Sequence, residues 1–227
     1  MSSFLLVISC QAYRHRQEQF KSRFSQLLGQ PSLEWVVVEA QPSLEQPFLY
    51  DEDNHRLTVR TGDGYLDLPK KLFSAFMWLN HTRPSANMVK VDDDYGELPS
   101  QVSWLEHILK QPPGPTVHYT GLKWVDVPKA KRDITQTCLA SYYLKGLAPG
   151  QAPLFPSSKG KRKPQNRLVS HDGRYQVVYS GGWYDGGSGY YLSAQALLTI
   201  LRHYNGDPEQ IKEIYEDKCW GDCLRLK

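Results

Sequence analysis

The chain has 227 residues, with 27 Lys and Arg against 24 Asp and Glu for a net charge of +3. That length buries about 70% of the unfolded surface in one domain, so neither disulfides nor a structural metal is needed to hold a core. The charge is too small and too evenly mixed to suggest nucleic-acid binding, which calls for a concentrated basic face.

The first element in chain order is the apolar run "FLLVI", read as a strand over Phe4–Ile8. Further strands are expected at Trp35–Glu39, Asn87–Val91 and Tyr175–Tyr179, each rich in β-branched or aromatic residues. Helical periods lie between them. Phe20, Phe24, Leu27 and Leu28 form one apolar stripe, and Leu68, Leu72, Phe76 and Leu79 form another. Pro99 suits a first helical turn, followed by Val102, Leu105 and Ile108 or Leu109. Ser193 is placed to cap "AQALLTILRHY". Alternating strands and helices predict an α/β sandwich with a mainly parallel central sheet, in a single domain spanning 1–227.

No segment reaches the ~18–20 apolar residues of a membrane span, and no signal-peptide core is present, so the expected location is cytoplasmic. Cys10, Cys138, Cys219 and Cys223 offer one close pair and no second pair to complete a zinc site, which reads as free thiols. "APGQAPLFPSSKGKRKPQNR", residues 148–167, is a Pro-, Gly- and Ser-rich loop. Its Lys159, Lys161, Arg162 and Lys163 could also make it a lid over an anionic ligand.

The unusual feature is "KVDDDYGELP", residues 90–99, where Asp92, Asp93 and Asp94 stack at the expected carboxyl end of a strand. Ligands of open α/β sheets sit beyond such ends. An acidic turn capping the following helix accounts for one or two acids. A third adds repulsion of about 1 kcal/mol per close pair in water. A hard divalent cation such as Mn²⁺ or Mg²⁺ relieves that repulsion and prefers carboxylate oxygen.

Four stretches in order resemble glycosyltransferase family 31, the β-1,3-galactosyl-, N-acetylglucosaminyl- and Fringe-type transferases. "KVDDD" resembles the family's aspartate motif. "DGYLDLPKK" is similar to D-x-Y-x-N-L-T-x-K through Asp63, Tyr65, Leu68 and Lys71, with Asp67 and Pro69 in place of the Asn and Thr. Trp78 stands where the family has a Trp before the aspartate strand. "YDGGSGYYLS" resembles Y-x-x-G-x-G-Y-x-x-S through Tyr184, Gly187, Gly189, Tyr190 and Ser193. "YEDKCWGDCL" resembles E-D-x-x-x-G-x-C-L through Glu216, Asp217, Gly221, Cys223 and Leu224. The N-terminal "RHRQEQFKSRF" matches the family's Arg-rich helix only loosely, with Lys21 where its second Arg falls.

The resemblance implies a GT-A fold and metal-dependent, inverting transfer of a hexose from a UDP-sugar to a hydroxyl of a glycan acceptor. Asp94 is then expected to bind Mn²⁺ or Mg²⁺ directly, with Asp92 or Asp93 reaching the ribose or the metal's water shell. Asp217, second of the Glu-Asp pair, is the expected general base. Ser9, Asp63, Lys71, Asp93, Gly187 and Gly189 make up the expected donor-binding set. Trp183, Tyr184 and Tyr190, beside a glycine turn, are expected to stack on sugar. Family members commonly continue into a strand whose His completes the metal shell. The sequence runs only to Lys227, three residues past the Cys-Leu match, which implies fewer protein ligands or a longer parent chain. A non-catalytic sugar-nucleotide or glycan-binding module built on the same residues is the alternative expectation.

Overall fold

The computed structural model describes residues 3–64, 67–125, 168–171, 174–177, 183–211 and 216–224. Tyr65, Cys138 and the basic loop at 148–167 lie outside them.

The apolar run near the N-terminus forms β1 (Ser3–Ile8), paired parallel on one side with β2 (Glu34–Ala40) and on the other with β5 (Asn87–Asp92). A strand with parallel neighbours on both sides is covered on both faces, so it carries no polar alternation. Phe4, Leu6 and Ile8 point into one core, and Leu5 and Val7 into the other. Outward from β2 lie β4 (Arg56–Val59), parallel to it, and β3 (Phe48–Asp51), antiparallel at the edge. Chain order thus resumes at β6 (Tyr119–Gly121), after which a short ribbon pairs β7 (Trp124–Val125) with β10 (Trp183–Tyr184).

The hairpin β8 (Leu168–His171) with β9 (Arg174–Val177) stands apart from the central sheet. β11 (Tyr190–Leu192) inserts antiparallel between β5 and β6. The seven-stranded order is β3-β4-β2-β1-β5-β11-β6. Three of its six pairings are parallel, so the sheet is mixed rather than mainly parallel. The difference has a specific origin. Of the strand expected at Tyr175–Tyr179, residues 175–177 belong to β9 in the separate hairpin and 178–179 lie outside the described residues, while the sheet takes the three-residue β11.

Helices cover both faces, an arrangement compatible with a Rossmann-like sandwich. One face carries α3 (Leu68–Thr82), α5 (Ala194–His203) and α6 (Glu216–Leu224), with Leu72, Phe76, Leu197, Ile200 and Trp220 in the shared core. The other carries α1 (Arg14–Arg23), α2 (Ser25–Leu28) and α4 (Pro99–Lys110). Here Phe20, Phe24, Leu27, Leu105 and Ile108 pack on Val37, Val89 and Val91. The first apolar stripe is therefore correct in facing, although the helix breaks at Phe24.

Pro99 opens α4, where its missing N–H costs nothing. The Gln101 side chain accepts from the Leu98 amide at 3.2 Å, satisfying a donor the helix leaves open. Ser193 caps α5 by accepting from the Ala196 amide at 3.1 Å. No helix among the described residues is long and apolar enough to cross a membrane.

Candidate functional site

The site lies at the carboxyl ends of β1 and β5, whose register sets Ile8 beside Asp92. The three aspartates leave this point in three directions. Asp92 turns toward α6: its Oδ1 pairs with the Lys90 ammonium at 2.8 Å. Its Oδ2 faces Gly187, 4.0 Å from where a Cβ would stand. Burial pushes the Asp92 carboxyl up to about 6 against the opposing pull of Lys90, with Glu216 and Asp94 adding to the rise. Asp93 turns inward and accepts from the Ser9 hydroxyl at 2.6 Å. Its carboxyl is also raised by burial, partly offset by that hydrogen bond. Asp94 stays 55% exposed, with Arg16 3.7 Å away.

Lys90 is 1% exposed and holds the site's far side together. Besides Asp92 it meets Glu216 Oε1 at 3.0 Å and donates to the Gly186 carbonyl at 3.0 Å. Two carboxylates hold its ammonium in the charged form despite burial, raising its pKa. The Gly186 amide donates to Asp217 Oδ2 at 3.0 Å. Position 186 accepts only glycine without rearrangement, since a Cβ there would stand 2.1 Å from Glu216 Oε1. Gly186, Glu216 and Asp217 thus form one joint, brought to the aspartates through Lys90.

The near side is a second buried polar network. The Lys71 ammonium donates to the Ser9 carbonyl at 2.9 Å and to Asp63 Oδ1 at 2.5 Å. Asp63 also accepts from the amides of Gln11 and Ala40, at 2.8 and 3.2 Å. It thereby ties the chain leaving β1 to the end of β2. Gln17 donates to both Ser9 Oγ and Glu39. Glu39 is buried at the end of β2, with Arg14 3.4 Å away and Arg56 3.8 Å away. A glutamate inside the apolar run "WVVVEA" is the sequence signal that points to this network.

Several expected donor and sugar contacts have structural partners instead. Lys71 is engaged by Asp63 and Ser9, so in this arrangement it positions the β1 end rather than facing solvent. Gly189 has φ +82°, and a Cβ there would meet Trp104 at 2.9 Å, so its requirement for glycine comes from backbone and packing. Gly187, by contrast, is exposed beside Asp92. Trp183 and Tyr190 are buried in the core and present no ring face for stacking, which corrects the expectation for both. Burial also raises the Tyr190 hydroxyl well above its ordinary value, with Glu216 contributing. Tyr184 is half-buried and stacks edge-on against Trp124, 5.0 Å between centroids. Trp124, exposed at the site's margin, was missed because no motif surrounds it.

The expected divalent cation can be tested against this geometry. Among the described residues no three His, Cys, Asp or Glu side chains converge on one metal position. Mg²⁺-like ions in nucleotide sites usually need only one or two carboxylates, with phosphate and water completing the shell. Asp92 and Asp94 are close enough to repel, but Asp92 is turned to Lys90 and Asp94 to Arg16, so holding one cation would require both side chains to turn toward it. Asp93 is bonded to Ser9 instead.

No family model matches the chain, and no curated protein matches it.

Proposed function

We propose that the chain is an inverting, metal-dependent glycosyltransferase with a GT-A fold, moving a hexose from a UDP-sugar to a hydroxyl of a glycan acceptor. The observation that carries this reading is the joint around Lys90. It draws the strand-end Asp92 and the α6 acids Glu216 and Asp217, remote in sequence, onto the same glycine turn. The four stretches that resemble family 31 supply three sides of that joint and its neighbour, the Asp63–Lys71 pair.

In this reading Asp92 and Asp94 would hold Mn²⁺ or Mg²⁺, which when bound offsets the charge developing on the departing diphosphate. The Asp63–Lys71 pair and the Ser9–Asp93 hydrogen bond fix the end of β1, where the nucleoside would rest. The Gly186 amide orients the Asp217 carboxylate through Oδ2, and that carboxylate would take the acceptor proton. The acceptor oxygen then bonds to the anomeric carbon as the bond to UDP breaks. The electron pair leaves with UDP, and the carbon is inverted. Trp183 and Tyr190 have no contact role in this scheme; Tyr184 and exposed Trp124 are the ring surfaces on the acceptor side.

A second reading rests on Asp217 itself, which is buried and tied to backbone. A carboxylate that pins the glycine turn fits a non-catalytic module binding sugar nucleotides or glycans. Incubation with Mn²⁺ and a panel of UDP-sugars, with and without glycan acceptors, separates the two. Acceptor-stimulated UDP release supports the transferase. UDP-sugar binding without release under any pairing supports the module.

A further inference from the structure

A cavity of about 450 Å³ opens between the edge strand β6, the β7–β10 ribbon, and helices α5 and α6. Trp124 forms one wall and is 52% exposed. It is nevertheless held, its ring meeting Tyr184 edge-to-face at 5.0 Å and 78°. Tyr184 is braced in turn by Tyr119, at 5.0 Å and 89°. The opposite wall is polar. Gln195 and Thr199 stand one turn apart on α5, and His118 Nδ1 lies 2.9 Å from the Ser193 hydroxyl. That hydroxyl also accepts from the Ala196 amide at 3.1 Å, so the imidazole is held at the cavity wall whichever ring nitrogen carries the proton.

No Asp, Glu, Lys or Arg is among the described residues lining the cavity. A diphosphate, a carboxylate or a cationic ligand would therefore find no counter-charge in it. A braced aromatic face opposite neutral donors and acceptors suits a ligand with an apolar face and a rim of hydroxyls, which is the chemistry of a pyranose. The cavity also adjoins the reaction site. Gly221 on its floor is four residues after Asp217, on the same face of α6 and about one turn away. The Tyr119 hydroxyl donates to the Asp217 carbonyl at 3.3 Å and accepts from the Tyr184 amide at 3.0 Å, so the base and the aromatic wall share one brace.

We infer that this cavity is the outer acceptor subsite, binding a neutral pyranose one residue removed from the sugar that presents its hydroxyl to Asp217. The inference rests on the transferase reading for its placement relative to catalysis, while saccharide binding in the cavity is measurable without it. The probes are methyl β-lactoside, methyl β-maltoside and the methyl β-glycoside of N-acetyllactosamine. They are titrated against the whole chain by tryptophan fluorescence and saturation-transfer NMR, with Mn²⁺–UDP binding measured alongside.

At least one disaccharide is expected to bind with a dissociation constant on the order of 1 mM. Trp124→Ala, and Thr199→Trp, which fills the cavity from an exposed helix position, should each weaken that binding at least tenfold. Trp124→Phe should keep it within about threefold, and all three variants should bind Mn²⁺–UDP as the parent does. Disaccharide binding through Trp124 without any UDP binding would uphold the cavity and remove the transferase reading. UDP binding with no disaccharide binding, or disaccharide binding indifferent to Trp124 and Thr199, overturns the inference.

Discussion

Replacing Lys90 with methionine keeps most of the side-chain volume and removes the charge that bridges Asp92 and Glu216. The Glu216 side chain is only 7% exposed, so water cannot take over as its partner. Its cheapest response is to take a proton. Protonating a glutamate at pH 7 costs about 3.7 kcal/mol, from 1.36 kcal/mol per pH unit above about 4.3. Asp92 is partly solvated and adds less, so the expected loss is about 3–4 kcal/mol, within the range for a broken buried pair. For a chain of this length each kcal/mol moves the melting temperature by about 2–4 °C, so the melt should fall by roughly 6–16 °C. The loss should also depend on pH. The folded variant keeps a proton that the unfolded chain releases above pH about 4.3, so its stability declines as pH rises. At pH 5.5 the same protonation costs only about 1.6 kcal/mol, and the gap to wild type should narrow accordingly. Adding Glu216→Gln to the variant should recover at least about 2 kcal/mol at pH 7. Thermal melts of the three proteins at both pH values test this. A single-variant loss under about 1 kcal/mol, or no recovery in the double variant, refutes the bridging role.

Gly186→Ala should destabilise by about 1–3 kcal/mol in urea unfolding because its Cβ would displace the Glu216 carboxylate. Gly187→Ala, with nothing nearer than 4.0 Å, should stay within about 0.5 kcal/mol of wild type. Ser193→Ala removes the α5 cap and should cost about 1 kcal/mol in the same assay. Asp217→Asn should cut kcat by about 10²-fold or more with the UDP-sugar dissociation constant nearly unchanged. A small loss of rate would assign the base elsewhere, and a loss of donor binding would assign Asp217 to the metal shell.

The strands that carry the site were legible because they are central. β1, β2 and β5 are covered on both faces, and the continuous apolar runs that this demands stand out in the sequence. The strand-end acids were legible for the complementary reason: three like charges after such a run need an explanation. What failed was the reading of short or locally ambiguous segments. β11 has only three residues, and its Tyr190 looked like a sugar-stacking ring because nothing local distinguishes a buried Tyr from an exposed one. Its place between β5 and β6 is decided by tertiary pairing. Lys90 shows the same limit. Its position before the aspartates was visible, whereas its reach to Glu216 and the Gly186 carbonyl depends on where α6 and the glycine turn come to rest. Glu39, like Lys90, is a buried charge that the sequence did advertise, by interrupting an apolar strand.

In the proposed transferase, Asp92 and Asp94 would bind a nucleoside diphosphate through a divalent cation. Calorimetric titration of UDP into the protein with Mn²⁺, then with EDTA, and then into Asp94→Asn tests it most directly. Asp94 is exposed, so its replacement should leave the fold intact. UDP binding with Mn²⁺ should disappear both on chelation and in the variant. UDP affinity that ignores EDTA and the substitution alike, or no UDP binding by the folded wild type with Mn²⁺ present, would contradict it.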